Sequence, residues 1–181
     1  MDIEEISQAY LDIAQEQFGP MCSEWKYIGI EFNDMGPHLR YYPDFRSVAI
    51  SLSNKARDDE VQLHFQLSHE ICHLLYPTTC VETNEQECAS TLNEGVSTYF
   101  SILAMEKFGV TDEVVDNLRD FSPNYFEALV LTCQLIEADH QAILKLRSVQ
   151  PKLNKIVLED FEKAGVDVSD DLKSVLLSTF S

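Results

Sequence analysis

Basic residues are scarce in this sequence. Thirteen Lys and Arg stand against 31 Asp and Glu, a formal charge of −18 over 181 residues. A field of that sign repels phosphate backbones, so nucleic-acid binding is excluded as an expected role. It suits a basic protein partner or substrate, and otherwise a solvated acidic surface. The acid is spread over both halves of the chain, so no segment reads as an acidic tail. Long apolar runs are also missing. None approaches the roughly 20 residues that a membrane-spanning helix needs, and no membrane association is expected. The opening residues Asp2, Glu4 and Glu5 are acidic, without the basic and then apolar start of a secretion signal. The five cysteines (Cys22, Cys72, Cys80, Cys88 and Cys133) are odd in number and form no C-x-x-C pair. That excludes a disulfide framework and a cysteine zinc knuckle, and points to the cytoplasm with reduced thiols. Repeats, low-complexity runs and linkers are absent as well.

What is present is an ordinary globular composition, 45% hydrophobic, enough for a core without metal or disulfide staples. The length suits one domain over residues 1–181. Helical spacing of Ile3, Ile6, Tyr10, Ile13, Ala14 and Phe18 predicts a helix over 3–18, stopped by Gly19-Pro20. Residues 26–32 and 46–52 read as strands, the first followed by the turn-rich stretch 33–37. Helices are expected at 58–76, ended by Pro77, and at 84–108, closed by Gly109. Four more are expected at 111–120, 122–149, 151–164 and 169–179. The expectation is a helix-dominated α+β fold with a small antiparallel or mixed sheet near the N-terminus. A helix and sheet fill 1–57, two central helices lie in 58–108, and further helices occupy 111–180.

The chemistry centres on His69-Glu70-Ile71-Cys72-His73, an H-E-x-x-H within a predicted helix. Residues i and i+4 lie one above the other on a helix, so both imidazoles can address one ion. Glu70 projects beside that face, where it can take a proton from water that a metal activates and pass it to a leaving amine. Burying two imidazoles and a carboxylate without partners is costly, which argues against an incidental core helix. Cys72, inside the motif, reads as a small buried hydrophobe. His38 and His64 fall outside any metal spacing and are left unassigned.

A catalytic zinc site needs a third protein ligand and an open position. Glu94 is the candidate, separated from His73 by 20 residues, room for one helix to end and another to return beside it. Glu87, two turns earlier on the same predicted helix, competes for the role. The cofactor expected from these ligand types is Zn2+, although they also suit cobalt or manganese.

H-E-x-x-H followed by Asn93-Glu94 on a helix resembles the gluzincins, the thermolysin-like zinc metallopeptidases. The segment Leu92 to Phe100 is similar to the Leu-Asn-Glu-Gly-Phe-Ala-Ser-Tyr motif of the aminopeptidases related to leukotriene A hydrolase. The resemblance covers about residues 61–105. It implies a zincin-like domain, His69, His73 and Glu94 as ligands, Glu70 as catalytic carboxylate, and peptide or protein substrates. It also puts strand 46–52 in the position of the substrate-binding edge strand. Three features depart from the pattern. No Gly-x-Met-Glu-Asn segment precedes His69, so an endopeptidase is expected rather than an aminopeptidase. Thr98 stands where thermolysin-like enzymes carry an Asp that orients the first histidine. The spacer between His73 and Glu94 is also slightly longer than in those aminopeptidases. The metzincin alternative, H-E-x-x-H-x-x-G-x-x-H, fails because Tyr76 and Thr79 occupy its Gly and His positions. Gluzincins place a Tyr or His downstream of the third ligand to stabilise the oxyanion, and Tyr125 and His140 are the candidates here. The alternative expectation is a non-enzymatic zinc-binding interaction domain that keeps a peptidase-like shell.

Overall fold

The computed structural model describes residues 2–181. Helix α1 spans Ile3–Phe18, and its first turn is closed where Glu5 accepts the Asp2 amide. Three strands follow: β1 Lys26–Asn33, β2 His38–Tyr42 and β3 Ser47–Ser53. Then come α2 Glu60–Leu75, α3 Thr91–Met105, α4 Thr111–Phe121, α5 Pro123–Ala138, α6 Ala142–Val149, α7 Leu158–Ala164 and α8 Asp170–Leu176. The chain is 61% helical, and the helix-dominated α+β expectation holds. No described helix is long and apolar enough to cross a membrane.

The sheet is mixed, in the order β1-β3-β2. β1 runs parallel to β3, with Tyr27 beside Val48 and Phe32 beside Leu52. β2 runs antiparallel to β3, with His38 beside Ser51 and Tyr41 beside Val48. Strand 46–52 is therefore not an edge. β3 is the inner strand, and Val48, Ile50 and Leu52 on it are buried. Its near-continuous apolar run is what a strand covered on both sides requires. The edge beside α2 belongs to β2, a strand absent from the expected elements. Between Tyr27 and Ile30 the β1–β3 register shifts at Gly29, whose φ of 114° belongs to glycine. Glu4 of α1 packs so close there that an added Cβ would lie 3.2 Å from its Oε1.

Helix α2 is capped by Asp59, whose carboxylate accepts the Gln62 amide at 3.0 Å. Leu67, Ile71, Leu74 and Leu75 form its buried stripe, against β3, α1 and α3. Each such side chain contributes about 1.5–3 kcal/mol by burial. His69, two residues after Leu67, is turned about 200° away from that stripe, which leaves it and His73 half-buried. Helix α3 packs on α2 and on α5. It begins seven residues later than expected, because Ser90 makes the cap: its hydroxyl accepts the Asn93 amide at 3.3 Å, while Asn93 Oδ1 accepts the Ser90 amide at 3.2 Å. The stretch 77–89 before it is a loop, tightened where Asn84 takes a φ of 60°. The expected helix 122–149 is two helices, α5 and α6, broken where the Asp139 carboxylate accepts the Gln141 amide at 2.9 Å.

Candidate metal centre

One turn of α2 separates His69 from His73, and their Nε2 atoms lie 3.2 Å apart. Glu94, in the first turn of α3, brings Oε2 to 3.3 Å from His69 Nε2 and 3.5 Å from His73 Nε2. A tetrahedral ion with bonds of about 2.0–2.1 Å places neighbouring ligand atoms about 3.3–3.4 Å apart. The observed triangle has that size. Two imidazoles and one carboxylate form a donor set chemically suited to zinc, and this group could hold a metal ion.

The electrostatics follow from the crowding. Burial favours a neutral Glu94, but His73 and His69 outweigh it and hold the carboxyl well below the usual carboxylate range. Burial likewise disfavours a charged His73, yet the Glu94 carboxylate raises it to about 9. The Glu94 carboxylate and the His73 imidazolium thus stabilise each other's charged forms. Glu70 is almost fully buried, and burial pushes its carboxyl upward against the opposing pull of His73 and His69.

Two contacts lock the helices that carry the candidate ligands. Tyr76, the residue ending α2, is fully buried and its hydroxyl lies 3.0 Å from Ser97 Oγ on α3. Its ring meets the His73 ring edge-on at 6.0 Å. Arg147 of α6, also buried, donates to the carbonyls of Phe18, Gly19, Pro20 and Leu75 at 2.6–2.9 Å, and to that of Pro151 at 3.1 Å. It thus closes the C-terminal ends of α1 and α2, where the orphan carbonyls and helix dipoles favour a cation. Neither residue was marked by any motif. Arg147 meets carbonyls up to 129 residues away in the chain, which no local pattern reveals.

The centre opens into a cleft of about 300 Å³ between α2, β2, the 77–89 loop and α5. Tyr125, in the first turn of α5, reaches it: its ring lies 5.9 Å from the His69 ring and 4.8 Å from that of Phe180. Burial, with Glu94 and Glu70 nearby, pushes its phenol up to about 12, so it stays a donor through the physiological range. His140 does not come to this cleft. It is exposed in the turn between α5 and α6, beside a separate hollow lined by Phe18 and Tyr99. The break at Asp139 takes it off the helix on which it was expected. Glu87 is not in the triangle either. It lies in the loop ahead of α3, where its carboxylate accepts from Lys155 at 2.6 Å and Asn154 at 3.0 Å. Thr98 is buried in α3, and its hydroxyl has no partner among the described residues. His38 and Tyr41 of β2 also line the cleft. Sequence reasoning left His38 unassigned; the signal was the alternation of Leu39 and Tyr41 with His38, Arg40 and Tyr42 after a Gly-Pro turn.

Comparison with protein-family models, with curated proteins and with solved structures found no match to this chain.

Proposed function

We propose that this chain is a zinc-dependent endopeptidase that hydrolyses peptide bonds in a peptide or an accessible protein segment. The observation that carries the reading is the ligand triangle: two imidazole nitrogens and a carboxylate oxygen 3.2–3.5 Å apart, with Glu70 next to the first histidine. His69, His73 and Glu94 would hold the zinc. When bound, zinc supplies Lewis-acid activation of water and of the scissile carbonyl. Glu70 receives the proton from the attacking water and returns it to the departing amine. Its burial favours that exchange, because a carboxylate raised from its usual range is a better base. Tyr125 donates a hydrogen bond to the carbonyl oxygen as negative charge develops there. The outer edge of β2 has no strand partner among the described residues and borders the cleft. A substrate in extended conformation would align there through main-chain hydrogen bonds. An acidic surface favours a basic substrate or protein partner.

The test pairs metal analysis with Glu70→Gln. Wild type is expected to carry one zinc per chain and to cleave an unstructured protein substrate. The Gln variant should keep the metal and lose about 10²–10⁴ in kcat. His73→Ala should lose the metal. Cleavage by Glu70→Gln at the wild-type rate would remove Glu70 from the mechanism. A wild type that binds zinc without any turnover would favour an interaction domain instead.

A further inference from the structure

No hydrogen bond to a described residue fixes the Tyr125 hydroxyl, so its place in the cleft is set by what packs against the ring. Two rings do so. That of His69 lies 5.9 Å away at 66°, and that of Phe180 lies 4.8 Å away at 60°. Tilted rings at such separations attract through edge and face as well as through buried area. Phe180 comes from the segment that follows α8, and that segment is itself held in register. The Ser178 carbonyl accepts the Thr91 amide at 2.8 Å, and the Phe180 amide donates to the Ala89 carbonyl at 3.0 Å, an antiparallel bridge around Ser90 and Thr179. The Thr91 amide is one of the donors that the first turn of α3 leaves without a helical partner. The Thr91 and Ser178 hydroxyls, 3.0 Å apart, add a side-chain link. On the other side Asn124, next to Tyr125, donates its side-chain amide to the Ser181 backbone oxygen. Residues 178–181 thus tie the start of α3, three residues before Glu94, to the start of α5. Phe180 is half-buried while Thr179 and Ser181 beside it are exposed, so its ring is the part of the segment turned inward.

Resting on the metallopeptidase reading, we propose that Phe180 is a positioning residue that acts through Tyr125, its ring holding the phenol against His69 where the hydroxyl can meet the attacked carbonyl. Phe180 is not among the residues lining the cleft, so it touches no reacting atom itself. Truncating it opens space beside Tyr125 into which the phenol can swing. A donor must be aimed before charge develops, and a misplacement of about 1 Å can cost about 10²-fold in rate. Because the same segment is bonded to the residues ahead of Glu94, one strap sets the donor against the helix that carries the third candidate ligand.

The experiment has two arms, both on the full chain. In the metal-free protein, the nuclear Overhauser contact between the Tyr125 and His69 rings reads the position of the phenol, with the Tyr125 signals identified by their loss in Tyr125→Phe. Wild type should show the contact, Phe180→Ala should lose it, and Phe180→Tyr, which keeps the ring, should retain it. In the zinc-loaded protein, Phe180→Ala should lower kcat on a peptide substrate by about 10- to 100-fold, with KM changed by no more than a few-fold and zinc content unchanged. In a Tyr125→Phe background the same substitution should cost less than about 3-fold, because the hydroxyl it positions is gone. A merely structural role would cost the same in both backgrounds. Should Phe180→Ala not fold, Phe180→Leu, which fills most of the space without a ring, carries the same comparisons. A ring contact that persists in Phe180→Ala, or equal losses with and without the Tyr125 hydroxyl, would overturn the positioning role while the metal centre and Glu70 stand. A wild type that binds no zinc, or binds it without turnover, would remove the metallopeptidase reading, and the role of Phe180 in catalysis with it.

Discussion

Replacing Gly95 by alanine sets two physical effects against each other. Gly95 lies within α3, next to Glu94, and in an exposed helix Gly→Ala would stabilise by about 1 kcal/mol. Here the added Cβ would lie 2.5 Å from the Ala128 carbonyl oxygen and closer still to Thr132 Oγ1. Both belong to α5. The hydroxyl can rotate away, but the carbonyl is backbone and moves only with its helix. Restoring ordinary contact requires α5 to retreat by about 1 Å, opening a packed interface. Overpacking of this kind costs about 1–3 kcal/mol net, so the expected sign is destabilising. For a chain of this size that lowers Tm by about 2–12 °C. Thermal and urea melts of the metal-free protein give the number, with an unchanged urea slope as the check on a common unfolding reaction. In a Thr132→Ala background the cost should shrink without vanishing, because the carbonyl contact remains. Because Tyr125 sits one turn before Ala128 on α5, the same shift should move its ring off His69. A Gly95→Ala protein as stable as wild type, or more so, would refute the close approach of the two helices.

Two further outcomes follow from the packing. Arg147→Lys should destabilise by about 3–5 kcal/mol, because one ammonium cannot reach all the carbonyls that the guanidinium spans, and several would be left buried and unpaired; a loss below about 1 kcal/mol in urea melts would show that water takes over the role. His64 gives a pH signature. Its Nδ1 lies 2.7 Å from the Tyr10 hydroxyl, and burial, helped by the nearby Lys107 ammonium, holds the ring below its usual value of 6.5. The unfolded chain therefore takes up the proton more readily, so this stability is complete above pH 6.5 and is lost as pH falls towards the lowered value. Stability measured at pH 7.5 and 5.5 should drop less in His64→Gln than in wild type, and equal drops would assign the acid sensitivity elsewhere.

The legible parts of this sequence were those in which chemistry and periodicity coincide. His69 and His73 obey the helical repeat on one apolar helix, and Glu94 stands in a motif of its own, so all three could be named before their geometry was known. The misreadings lie where non-local pairing decides. β2 exists because β3 offers it a partner, and a five-residue strand with arginine and histidine on alternate positions carries too little apolar signal alone. Residues 84–90 are polar and helix-tolerant, yet the cap at Ser90 and Asn93 starts α3 later, which removes Glu87 from the helix that holds Glu94. Tyr125 and His140 were equivalent on the criterion of lying downstream. The end of α5 at Asp139 separates them, and that break depends on a side chain accepting a backbone amide two residues on. Gly95 could be read as part of a motif, but not as the point where two helices nearly touch.

The triangle of His69, His73 and Glu94 is a product of packing, since its corners come from two helices with separate causes for their positions. α2 is fixed at its far end by Arg147 on the Leu75 carbonyl, and beside His73 by Tyr76, whose hydroxyl reaches Ser97. Ser97 lies one turn after Glu94, so the same contact sets the height of the carboxylate against the imidazoles. α3 is fixed at its start by the Ser90 and Asn93 pair and along its side by the glycine contact with α5. None of these contacts uses the ligand atoms themselves. The scaffold can therefore hold the three side chains together by itself, and a divalent ion of the proposed kind would meet them already gathered. Little rearrangement would then be charged against metal affinity, which is what separates a prepared site from one that the metal must fold around itself.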